Sequence, residues 1–208
     1  MMATPTGADP RLLLFDLGGV LVEYSGLRDL APLLPTVLSP EDLRARLLAC
    51  PHMNAFELGA LPPDEFAAAF VRDWGIRLAP DRFLAEFRSW TRCLLPGARE
   101  LLQALRPRFR VAALSNSNAT HWERNLAELG IGDLFDALFS SHELRLHKPD
   151  PAIYRVVLER LGVTPAAVIF FDDSAANVAA AHVLGLRAYQ VEGVEQLRAC
   201  LDRLQLLR

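Results

Sequence analysis

The chain has 208 residues, 51% of them hydrophobic, and a formal net charge of −3 at pH 7. That composition can bury a sizeable core and a smaller lobe, so it excludes a disordered chain. The slight acidity leaves no basic face for nucleic acid or an anionic membrane, and no apolar run reaches membrane-spanning length.

Three widely spaced cysteines (Cys50, Cys93, Cys200) suit reduced thiols better than a disulfide framework or a zinc site. Residues 1–10 read as a frayed terminus without the basic and apolar regions of a signal peptide. A cytoplasmic protein, monomer or homodimer, with neither nucleic acid nor membrane as partner, is the expectation.

Leu12–Phe15 is apolar without alternation, the mark of a strand buried on both faces. The segment from Glu23 to Leu95 holds no strong strand. It carries helix starts at Ser39-Pro40-Glu41-Asp42, Pro63-Asp64-Glu65 and Pro80-Asp81. It is too long for a loop and reads as an inserted helical lobe. Leucines at helical spacing follow over Gly97–Leu105, then a second apolar strand over Arg110–Leu114 and a helix over His121–Leu129. Asp150-Pro151 opens a helix over Ala152–Leu161 that Gly162 closes. Val168–Phe171 is the third strand, Ser174 caps a helix over Ala175–Leu184, and Arg187–Val191 is a weaker fourth strand. Strands alternating with helices give an α/β fold, a doubly wound parallel sheet, with chemistry at the carboxyl ends of the strands. The core is expected over residues 11–22 and 96–208, with the helical cap lobe over 23–95.

Those strand ends carry the candidates. Asp16 follows the first strand and precedes Leu17-Gly18-Gly19, where glycines let backbone amides approach a ligand. Ser115-Asn116 follows the second strand, Lys148-Pro149 lies in a loop, and Asp172-Asp173 ends the third. Taken singly, Asp16 is a turn former, Ser115-Asn116 a capping pair and Lys148 a solvated lysine. The adjacent aspartates differ: with Asp16 they gather like charge in one cleft, which calls for a cation, and an all-oxygen set suits Mg²⁺.

The order strand-Asp, strand-Ser-Asn, Lys-Pro, strand-Asp-Asp resembles the haloacid dehalogenase-like hydrolase superfamily. The four motifs are Phe15-Asp16-Leu17-Gly18-Gly19-Val20-Leu21, Leu114-Ser115-Asn116, Lys148-Pro149-Asp150, and Phe171-Asp172-Asp173-Ser174 through Asn177. The resemblance implies a Rossmann-like core, a helical cap, and a phosphatase with Asp16 as nucleophile, hydrolysing a small phosphorylated metabolite through an aspartyl intermediate. It implies Mg²⁺ at Asp16, the Gly18 carbonyl and Asp173, with Asp172 beside it and Asn177 orienting Asp173 or metal-bound water. Ser115, the Asn116 amide, Lys148 and the Gly19 turn would bind the phosphoryl group.

The sequence departs from that pattern at Gly18, where most phosphatases of the superfamily carry an acid that protonates the leaving group; such a loss costs on the order of a hundredfold or more. The same Asp-Leu-Gly motif is similar to that of bacterial phosphatases acting on glucose 1-phosphate, so a substrate with a good leaving group, an anomeric sugar phosphate or an acyl phosphate, is expected. His121 is a candidate substitute proton donor. Tyr24, His52, Asn54, Glu57 and Trp90 are candidate substrate contacts. Two alternatives stay open: a metal-free 2-haloacid dehalogenase, and a silent module that binds a phosphorylated ligand.

Overall fold

The computed structural model describes residues 11–207. The stretch over 1–10 that reads as a frayed terminus, and Arg208, lie outside the described residues. Strand β1 (Leu12–Phe15) leads to β2 (Val22–Tyr24) and to five helices: α1 (Gly26–Leu30), α2 (Pro40–Leu48), α3 (Pro51–Glu57), α4 (Pro63–Trp74) and α5 (Pro80–Ser89). Then come β3 (Thr91–Leu94), α6 (Ala98–Leu105), β4 (Arg110–Ser115), α7 (Ala119–Ala127), β5 (Ala137–Ser140) and α8 (Ser141–Leu144). The chain continues through α9 (Pro151–Leu161), β6 (Val168–Asp172), α10 (Ala175–Val183), β7 (Arg187–Gln190) and α11 (Gly193–Arg203).

Five strands form one parallel sheet in the order β5-β4-β1-β6-β7. The order reverses about β1, so the crevice at its carboxyl end is where a doubly wound sheet binds ligands. Register fixes what meets there. Phe15 lies opposite Ala113 and Phe171, so Asp16, one residue on, comes level with the ends of β4 and β6.

Unbroken apolar strands follow from burial on both faces. Leu13, Phe15, Val111, Ile169 and Phe171 pack on one face with α6 and α11, while Leu12, Leu14, Leu114, Val168 and Phe170 pack on the other with α9. Each such side chain contributes roughly 1.5–3 kcal/mol of burial free energy. The edge strand β5 and the antiparallel pair β2–β3 have no counterpart in the sequence reading. Three or four residues with polar members carry too little pattern to register as strands.

Between β2 and β3 the helices build a separate apolar cluster. Phe56, Phe66, Phe70, Phe83, Phe87 and Trp90 form its aromatic centre, with Phe56 stacked on Phe66 at 4.3 Å. Ser39 caps α2 by accepting the Asp42 amide at 3.0 Å, and prolines open α3, α4 and α5. The lobe returns to the sheet through β3, and Arg88 ties α5 to α7 through Glu123, Glu128 and the Thr120 carbonyl.

Candidate active site

A cavity of about 550 Å³ opens above the carboxyl end of β1, with the helical lobe over it. Asp16, Ser115 and Asp173 line its floor; Tyr24, Arg44 and Glu57 reach it from the lobe and its hinge.

The floor is organised around Lys148, which is buried. Its Nζ donates to Asp172 Oδ2 at 2.7 Å and the Leu114 carbonyl at 2.8 Å, and lies 3.0 Å from Asp16 Oδ1. An ammonium has three protons, so all three have protein acceptors. The loop that carries Lys148 is held by Asn116, whose Oδ1 accepts the Lys148 amide at 2.9 Å and whose Nδ2 donates to the Lys148 carbonyl at 2.8 Å. The Asn116 side chain is therefore a bracket, a role the sequence reading missed. Any hold on a phosphoryl group falls to its backbone amide.

Asp16 Oδ1 also accepts the Leu17 amide at 2.7 Å, which leaves Oδ2 without a protein donor among the described residues. Burial pushes the Asp16 carboxyl up to about 7 against the pull of Lys148, with Asp172 and Asp173 adding to the rise. Lys148 itself is held above its ordinary value by the two carboxylates, against its burial.

Oxygens of Asp16, Asp172 and Asp173 lie within 4.8 Å of one another. Asp172, however, is fully buried, and both its oxygens have donors: Lys148 on Oδ2, and the Ser174 amide and Asn177 Nδ2 on Oδ1 at 2.8 and 2.9 Å. Two expectations change accordingly. Asp172 holds Lys148 with one of the oxygens it could offer a cation, and Asn177 bonds Asp172 and not Asp173. Asp16 and Asp173 remain open to a cation, and this oxygen-only set beside the Gly18 backbone suits Mg²⁺.

Gly19 makes room for that arrangement. Its φ is +74°, and a Cβ there would stand 2.6 Å from Asp173 Oδ2. Its amide donates to the Val22 carbonyl at 3.0 Å, so the expected phosphate contact from Gly19 is not available. Gly18 is different: a Cβ would meet only Tyr24 Cβ, at 3.9 Å. Space therefore does not dictate glycine at that position.

His121 does not have the freedom of a proton donor. Its ring stacks on Phe87 at 4.2 Å, its Nε2 donates to the Phe87 carbonyl at 2.7 Å, and its Nδ1 accepts from Asn118 at 3.1 Å. Burial drives its pKa down to about 4, so it is neutral near pH 7 with both nitrogens engaged. It joins core to lobe. Of the other lobe candidates, Tyr24 and Glu57 line the cavity. Trp90 packs in the aromatic cluster, His52 pairs with Asp73 at 2.7 Å, and Asn54 bonds the Leu48 carbonyl. Asn125, absent from the sequence reading, is buried at the cavity wall with an unpartnered Oδ1.

No helix among the described residues is long and apolar enough to cross a membrane. The family model described as haloacid dehalogenase-like hydrolase matches residues 10–185. A sesquiterpene phosphatase of Aspergillus oryzae is 31% identical over 93% of this chain and 95% of its own length. An (S)-2-haloacid dehalogenase of Xanthobacter autotrophicus is 36% identical over 68% of this chain and 51% of its own. Among solved structures, a magnesium complex of a family enzyme from Bacteroides thetaiotaomicron superposes with a TM-score of 0.75 at 25% identity. That superposition covers 89% of this chain and 94% of the other. The buried aspartate at the tip of β1, the lysine that spans it to the end of β6 and the match along most of the sequence agree: this chain belongs to the haloacid dehalogenase-like hydrolases.

Proposed function

We propose that the chain is a Mg²⁺-dependent phosphatase that hydrolyses a small phosphate ester through an aspartyl-phosphate on Asp16. The observation that carries this reading is Lys148, bonded to Asp172 and against Asp16, beside an Asp173 carboxylate open to the cavity. Phosphatase relatives support the reaction class. Asp16 and Asp173, with the Gly18 carbonyl, would hold the ion, whose charge offsets that of the phosphoryl oxygens.

The remaining steps belong to the protein. Lys148 and the Leu17 amide hold Asp16 Oδ1 in place, so the carboxylate attacks phosphorus from a fixed position. Ser115 and the Asn116 amide meet the phosphoryl oxygens as charge builds on them. Water then attacks the phosphorus of the acyl phosphate, releases phosphate and restores Asp16.

The substrate we favour is a sugar phosphate with an anomeric leaving group. Ser25, Thr91, Asn118 and Asn125 form a polar wall. The unpartnered Asn125 amide oxygen there needs a hydroxyl or a water to satisfy it. A second reading, an isoprenoid phosphate, is favoured by the apolar rim of Leu27, Leu47 and Leu48 and by the sesquiterpene phosphatase relative. Dehalogenation is disfavoured, despite the dehalogenase relatives, because Asp173 beside Asp16 would repel a haloacid carboxylate.

The test is a panel of sugar phosphates, isoprenoid monophosphates and 2-haloacids, run with magnesium, with chelator, and with Asp16→Asn. Metal-dependent phosphate release from a sugar 1-phosphate, absent in the variant, is expected. Chloride release in chelator, or phosphate release that survives Asp16→Asn, overturns the reading.

A further inference from the structure

Breaking the ester bond leaves an alkoxide-like oxygen that needs a proton, and the residue beside the nucleophile, Gly18, has none to give. Lys148 has its three protons on Asp172, Asp16 and Leu114. His121 has its ring proton on the Phe87 carbonyl. Arg28 and Arg44 offer guanidinium donors suited to holding an anion. Glu192 is exposed at the margin. Asp173 is committed to the cation site beside Asp16, which leaves Tyr24 and Glu57.

We propose, on the phosphatase reading above, that Glu57 at the end of α3 is the acid that protonates the leaving group. Three features place it. A side chain at position 18 would point at Tyr24, whose Cβ lies 3.9 Å from that virtual Cβ, and the Tyr24 hydroxyl in turn feels the Glu57 charge. Gly18, Tyr24 and Glu57 thus line the same cavity. Its backbone is fixed to the core, because Ser141 Oγ donates to the Glu57 carbonyl at 2.7 Å. Gly59 then passes so close to the His142 carbonyl that a Cβ there would overlap it. Finally, the Glu57 carboxyl has no hydrogen-bond partner among the described residues. His147 Nε2 lies 3.6 Å away, itself buried and without a hydrogen-bond partner among the described residues.

The protonation state suits the role. Burial pushes the Glu57 carboxyl up to about 7, so a large fraction carries its proton near neutral pH. The groups facing it do not reverse this: burial lowers His147 and His142 and keeps them neutral, and Tyr24 is raised above its ordinary value. A Tyr24 proton is accordingly held too tightly to compete.

The step balances. Asp16 forms a bond to phosphorus, the bond to the ester oxygen breaks, and the Glu57 proton passes to that oxygen. The water that attacks the aspartyl-phosphate keeps its protons on the released phosphate, so that step does not use Glu57, and the Glu57 carboxylate recovers its proton from solvent for another cycle.

The experiment compares wild type, Glu57→Gln, Glu57→Asp and Tyr24→Phe, with magnesium, between pH 5 and 9. The esters are p-nitrophenyl phosphate, whose leaving group needs no proton, and alkyl and sugar phosphates, whose leaving groups do. Glu57→Gln is expected to keep p-nitrophenyl phosphate turnover within about threefold. Its alkyl and sugar phosphate turnover should fall on the order of a hundredfold, and the fall in rate above pH 7 should vanish. Glu57→Asp should keep that limb at reduced rate. Equal loss on every ester, an unchanged pH limb in Glu57→Gln, or the leaving-group-dependent loss appearing in Tyr24→Phe instead overturns the inference. A wild type that cleaves no phosphate ester sinks the phosphatase reading itself. One that cleaves only p-nitrophenyl phosphate overturns the Glu57 role alone.

Discussion

Lys148 and Asp172 are both buried, and each is acceptable there because of the other. Asp172→Asn removes the charge that holds the ammonium and sets an amide against it. The expected outcome is a loss of roughly 3–5 kcal/mol in urea unfolding, the range for breaking a buried pair, together with loss of turnover. Retained stability would mean that Asp172 is not the anchor. Glu57 makes the opposite kind of case. Its carboxyl is raised from 4.5 to about 7, so the folded chain holds that proton more tightly than the unfolded chain. Its contribution is complete below the unfolded value and lost as pH climbs through about 7. Glu57→Gln has nothing to ionise. It should match wild type near pH 4 once the side-chain exchange is allowed for, and gain on it by about 3 kcal/mol at pH 8, as read by thermal melts. A constant offset between the two across that range would contradict the raised carboxyl.

At the scale of elements, His121 shows how a residue read as chemistry becomes architecture. Position after Ser115-Asn116 is visible in a sequence, but the Phe87 carbonyl that takes its ring proton comes from α5, far away in the chain. His121→Ala is expected to lower stability by about 2 kcal/mol through a lost buried ring and two lost hydrogen bonds, while leaving both limbs of the pH–rate profile in place. Loss of one limb would restore the acid–base role. The strands that carry the site were legible because each is a continuous apolar run ending in a polar residue. β5, β2 and β3 were not, because a short strand with polar members looks like a loop until its partner is known. The same limit hid the Asn116 bracket and the Asn177–Asp172 bond, since residue types at strand ends do not say which carboxylate an amide faces.

For the whole molecule, apolar packing is divided between the two faces of the sheet and the separate aromatic cluster of the lobe. Phe66 sits at the centre of that last cluster, in contact with Phe56, Phe70, Phe83 and Phe87. Phe66→Ala should cost about 3–5 kcal/mol, and hydrogen exchange should show lost protection across α2–α5 with β1, β4 and β6 unchanged. Equal loss in the sheet would show that lobe and core open as one unit. The division matters for function, because the floor holds Asp16, Lys148 and Asp173 while Glu57 and Arg44 come from the lobe. On the Glu57 proposal, complete chemistry requires the lobe seated on the core.

The central claim is that the Asp16 carboxylate itself attacks phosphorus. Acid quenching during turnover of a sugar 1-phosphate, borohydride reduction of any acyl phosphate, and peptide mass spectrometry test it directly. The expected result is a carboxyl reduced to an alcohol at Asp16, dependent on both magnesium and substrate. Phosphate release with Asp16 unmodified, or the same mark at another aspartate, would contradict it.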